Sequence, residues 1–152
     1  MKEPIYSRIL KYALYVAFVF GILFVISLTF MLDRYSYLIH GTRGFSLSYR
    51  NFLIPFLKIS GTFCLWVVME MILMLRSIPK DPFVIRNVKA LYRIGAIALM
   101  LSLIFTIKCF LFFTILTLFC AFLFVGAGLF AFTLAALIRQ SIIFREENEL
   151  TI

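Results

Sequence analysis

Between positions 94 and 138 the chain carries a single charged residue, Lys108, in about 45 consecutive positions. A bilayer's hydrocarbon core is about 30 Å thick, and one helix crosses it in about 20 residues. The run therefore predicts two crossings, with Lys108 marking where the chain turns back. Stretches 12–32 and 52–75 have the same character. The expected fold is an all-α integral membrane protein, a four-transmembrane-helix antiparallel bundle. Residues 1–152 form a single membrane domain with spans near 12–32, 52–75, 92–110 and 114–138.

The pattern changes between spans two and three. Pro79 and Pro82 interrupt any continuous helix there. Asp81 followed by Pro82 reads as an N-cap with proline at the first helical position. Val84, Val88, Leu91 and Tyr92 then recur at helical spacing, while Arg86, Lys89 and Arg93 fall on another face. Segment 81–93 is thus expected to be a basic amphipathic helix leading into span three.

Small residues indicate how the spans pack. Ala127, Ala131 and Ala135 line one stripe of span four with Gly128 beside them, and Ala98, Ser102 and Thr106 line one of span three. Such stripes let helix backbones approach closely in lipid. A short connection makes the two spans antiparallel neighbours, so the stripes are expected to face each other. A seam between copies in a homo-oligomer is the alternative.

Composition narrows the function. Charged residues make up 14% of the chain, against about 25% in soluble domains. Four spans and short connections leave no space for an extramembrane catalytic domain. No GxSxG, HExxH, Walker A or paired-carboxylate arrangement is present, which argues against an enzyme. The three cysteines, Cys64, Cys109 and Cys120, lie at membrane depth without metal-ligand spacing. The single histidine, His40, stands beside the Gly41/Gly44 turn of the first loop. No cofactor or metal is expected.

The formal charge of +8 is a matter of placement. Lys2, Arg8 and Lys11 precede span one, and Arg139 and Arg145 follow span four. Arg76, Lys80, Arg86, Lys89 and Arg93 separate spans two and three. By the positive-inside rule both termini and the middle loop are expected in the cytoplasm, with the protein multi-pass in the cell membrane. Anionic lipid at the cytoplasmic face is the expected partner of these cations, and direct nucleic-acid binding is not.

Two ionisable residues interrupt span two. Lys58 has a stem long enough to snorkel. Glu70, with a shorter side chain, needs a partner or a proton. Arg93 at the start of span three is one partner within expected reach, and a proton or cation site is the functional alternative.

Two segments look familiar together: Asp81-Pro82-Phe83-Val84-Ile85-Arg86-Asn87-Val88-Lys89-Ala90-Leu91-Tyr92-Arg93-Ile94-Gly95, and the tail Phe144-Arg145-Glu146-Glu147-Asn148-Glu149-Leu150-Thr151-Ile152. The chain resembles the YoaS-like proteins, a bacterial family of four-span membrane proteins classed as a domain of unknown function. In that family a Pro-Phe, an Asn-Val and a basic-Ile-Gly run open span three, and a Glu-Asn-x-Leu-Thr-Ile-like tail closes the chain. Tyr92 departs from the pattern, standing where a further basic residue is common. The resemblance implies a gene often placed beside a small Cro/C1-type helix-turn-helix regulator. It implies no catalytic residues.

Together these features point to a non-enzymatic regulatory or adaptor protein acting on a cytoplasmic partner. The resemblance makes a helix-turn-helix regulator one such partner. The expected surface comprises Arg86, Asn87, Lys89 and Arg93 with Glu146, Glu147 and Glu149 of the acidic tail 145–152, the two charge sets being able to pair. A small transport or channel component using Glu70 and Lys58 is one alternative. A protective protein against a membrane-active peptide, using the aromatic first loop, is another.

Overall fold

A computed structural model describes residues 5–39, 47–77 and 84–150. The chain is all-helical, in the order α1 (Ile5–Ile39), α2 (Leu47–Ser77), α3 (Ile85–Leu111) and α4 (Ile115–Leu150). All four are long and apolar enough to cross a membrane. Their surfaces fit that medium: Phe20, Ile26, Phe30, Phe110, Phe122 and Phe130 are all exposed. Apolar exposure on this scale is at home in lipid. His40, Gly41, Gly44 and the Asp81-Pro82 cap fall outside the described residues.

Successive helices pair antiparallel and stand in a row. Among the described residues, α1 approaches α2, α2 approaches α1 and α3, and α3 approaches α2 and α4, while α1 and α4 make no close backbone approach. One end of the row gathers the basic positions Arg76, Arg86, Lys89 and Arg139, and is called the basic end here. The other holds the α3–α4 connection and is called the turn end.

The α3–α4 pair is the tightest joint, and seven-residue spacing explains it. Val88, Gly95 and Ser102 on α3 are buried, as are Ala121, Gly128, Ala135 and Ile142 on α4. Val88 shares an apolar cluster with Ala135 and Ile142. A Cβ built on Gly95 would lie 3.1 Å from the Gly128 carbonyl oxygen, and one on Gly128 would lie 3.1 Å from that of Gly95. Ser102 Oγ donates to the Ala121 carbonyl at 3.0 Å. A seven-residue seam of small side chains brings two helices together along their length.

The expected facing of small stripes is thus seen for Ala98, Ser102, Ala131 and Ala135, which are buried. Ala127 is a correction, since it is exposed and Gly128 occupies the seam in its place. Four-residue spacing drifts around a helix, whereas alternating threes and fours keep to one face.

The α1–α2 pair is looser. Leu28 is the only buried hydrophobic of α1 among the described residues. Gly21 of α1 and Gly61 of α2 accommodate Leu65 and Val25 side chains respectively. A cleft of about 360 Å³ runs between the helices, lined in part by Ala17, Val25, Ser60, Leu65 and Phe105.

Candidate functional site

Polar side chains at the basic end join the first three helices. Arg76 Nε donates to the Tyr15 hydroxyl at 2.7 Å, and its guanidinium carbon lies 5.5 Å from that ring's centroid. The Ser77 hydroxyl shares its one proton between Asn87 Oδ1 and the Met74 carbonyl, the latter at 2.9 Å. About two turns deeper, Arg93 Nη2 donates to Glu70 Oε2 at 3.0 Å. The Glu70 side chain is 7% exposed and that of Arg93 54%. The carboxylate is thus buried between helices while the cation reaches it from the exposed side. A buried carboxylate without such a partner would be costly in lipid.

The first turns of α3 split the expected apolar face: Val88 and Leu91 are buried, whereas Val84 and Tyr92 are exposed, the first ahead of the helix and the second at the edge of the seam with α4. Val84 stands at the N-cap in extended conformation, without a side-chain cap. The basic amphipathic segment is therefore the opening of α3 itself, continuous with the span. Val88, Ala90 and Leu91 are buried, and Arg86 and Lys89 are exposed. Asn87 corrects the expected surface: it is only 2% exposed and faces α2, where Ser77 donates to it. Arg93 is likewise engaged with Glu70.

The acidic tail is helical and prolongs α4 without a break. The α3–α4 register sets Ile85 opposite position 138, so α4 runs about 18 Å beyond the start of α3. Ile142 remains packed in the cluster with Val88 and Leu91. Past it, Ile143, Phe144, Arg145, Glu146, Glu147 and Asn148 are exposed. Glu146 lies about 13 Å along the axis beyond the level of Arg86 and about 18 Å beyond that of Lys89. At that spacing the Glu146 carboxylate does not reach Arg86 or Lys89, with which the sequence would have let it pair. The side chain of Glu149 lies outside the described residues.

Lys58 is exposed on α2, beside a shallow groove lined by Ile59, Thr62, Phe63 and Trp66. Glu70 is buried toward α3. Twelve positions separate the two, about 18 Å along the axis, and they do not line a common path.

The turn end holds a residue that the sequence reading treated only as a landmark. Lys108 is 6% exposed. Its Nζ donates to Thr117 Oγ1 at 2.5 Å and sits 5.7 Å from the centroid of Phe56. Its spacing held the signal, because Lys108 stands seven residues after Leu101, a fully buried side chain of α3.

Comparison with protein-family models, with curated proteins and with solved structures finds no match to this chain.

Proposed function

We propose that this chain is a non-enzymatic regulatory or adaptor protein of the cell membrane, with both termini in the cytoplasm. Its basic end engages a cytoplasmic protein. The observation that carries the reading is the extension of α4 past the start of α3 as an exposed helix bearing Ile143, Phe144, Glu146 and Glu147. A helix that projects beyond its bundle leaves much of its surface for another protein. Arg86 and Lys89, exposed on the neighbouring helix, add charge of the opposite sign. The surface so defined comprises Arg86, Lys89, Ile143, Phe144, Glu146 and Glu147. Exposed charges of this kind steer and select a partner more than they hold it, and Phe144 supplies the apolar anchor. A helix-turn-helix regulator, implied by the family resemblance, is the first partner to examine.

The test is co-purification from native membranes of the wild type, of Phe144→Ala and of an Arg86→Gln/Lys89→Gln double variant. The proposal expects one soluble protein to accompany the wild type and to be depleted with both variants, while all three insert equally. Recovery of the same proteins with all three chains would contradict it.

A further inference from the structure

Lys108 is a buried cation without a carboxylate partner among the described residues. A lysine ammonium has three N–H donors. Thr117 Oγ1 accepts one, and the Phe56 ring faces the charge at 5.7 Å. Two donors have no acceptor among the described residues.

Thr117 is itself incomplete. Thr62, Thr106 and Thr133 each donate their hydroxyl to the carbonyl four residues earlier, at 2.8, 2.8 and 2.9 Å. Thr117 sits in the first turn of α4, where position 113 lies before the helix begins. Thr117 is 4% exposed, and its hydroxyl accepts from Lys108. Its own proton has no acceptor among the described residues. Two N–H donors and one O–H donor thus converge without an acceptor, and an uncompensated buried cation is costly. The arrangement asks for an anion with several acceptor oxygens.

The surroundings identify which one. Lys108 lies three residues, about 4.5 Å, before the end of α3. The turn around it is apolar on its exposed side, with Phe110 at 88%, Phe113 at 69% and Ile115 at 78% exposure. Such a tip sits at the membrane boundary, its aromatic and apolar side chains against acyl chains and its end at headgroup level. The anion that a bilayer brings to the end of a spanning helix is the lipid phosphate. We propose that Lys108 and Thr117 form a binding site for the phosphate group of an anionic phospholipid at the turn end of α3 and α4.

Native mass spectrometry of the detergent-solubilised protein, titrated with phosphatidylglycerol, reads the site directly. Lys108→Met should lose one tightly retained lipid, with retention roughly tenfold weaker, a change equivalent to about 1.4 kcal/mol. Thr117→Val should weaken retention less, and Lys108→Arg should restore it. Arg139→Met removes the same charge from an exposed position at the basic end and provides the baseline. Competition by millimolar inorganic phosphate would support a site that takes the phosphate group alone. Insensitivity to it would support recognition of the lipid. Equal retention by wild type, Lys108→Met and Thr117→Val, all folded by circular dichroism, would overturn the proposal.

Discussion

Arg93 Nη2 lies 3.0 Å from Glu70 Oε2, and the two ends of this bond sit in different surroundings. Glu70 is buried between α2 and α3, whereas Arg93 is more than half exposed. Removing either partner therefore has unequal consequences. Arg93→Leu strands a carboxylate at membrane depth, whereas Glu70→Leu frees a cation that can snorkel. Thermal unfolding in detergent should show Glu70→Leu losing about 1–2 kcal/mol, the scale of an inter-helix polar contact in lipid. Arg93→Leu should lose more, and the double variant less than the sum. Additive losses would mean that the pair does not couple the helices.

Gly95 and Gly128 set the distance between α3 and α4. A methyl at Gly95 would meet a backbone oxygen at 3.1 Å and the Phe132 ring at 2.9 Å. The ring can move and the backbone cannot move alone. Gly95→Val should destabilise by about 1–3 kcal/mol, the usual cost of overpacking. Ala127→Val, on the exposed side of α4, should change stability by less than about 0.5 kcal/mol. Equal effects of the two substitutions would place the seam elsewhere.

Much of this architecture was legible because lipid imposes a strict rule: a spanning helix needs about 20 apolar residues. Four such runs and their order were therefore readable directly. The Glu70–Arg93 contact was also within reach, since a carboxylate at membrane depth demands a partner and Arg93 is the cation nearest its level on the next span. Rotation about the helix axes was harder to read. Ala127 and Gly128 are both small, and composition alone does not distinguish which of them faces α3. Asn87 shares its turn with Arg86 and Lys89, yet it faces α2 while they face outward. Lys108 looked like a residue of the connection because a charge next to a turn usually is one. Its burial became readable only from its spacing, seven residues after the fully buried Leu101.

Asn87 and Lys89 offer a matched comparison at the basic end. Asn87 is buried against Ser77, and Lys89 is exposed two residues later. Asn87→Leu removes a polar contact between α3 and α2 while the half-buried Ser77 hydroxyl keeps the Met74 carbonyl, and should cost about 1 kcal/mol. Lys89→Gln should leave unfolding within about 0.5 kcal/mol of wild type. Chemical denaturation in mixed micelles reads both. Comparable losses would show that this part of α3 does not present distinct buried and exposed faces.

Orientation is accessible to labelling. With Cys64, Cys109 and Cys120 replaced by alanine, a single cysteine is introduced at Thr114 or at Asn148. A membrane-impermeant maleimide applied to intact cells should modify Thr114→Cys and spare Asn148→Cys until the membrane is opened. The basic end would then lie in the cytoplasm, as the positive-inside rule expects. Labelling of Asn148→Cys in intact cells would reverse the orientation.

The central claim is that the projecting end of α4 meets a cytoplasmic protein, and site-specific photo-crosslinking in living cells tests it most directly. A photoreactive amino acid is placed at Phe144, exposed at the basic end, or at Phe110, exposed at the turn end. The account predicts a discrete adduct with one soluble protein from position 144, reduced when Arg86 and Lys89 are glutamine, and none with that protein from position 110. Adducts from position 144 that contain only lipid, or the same protein adducts from both positions, would contradict it.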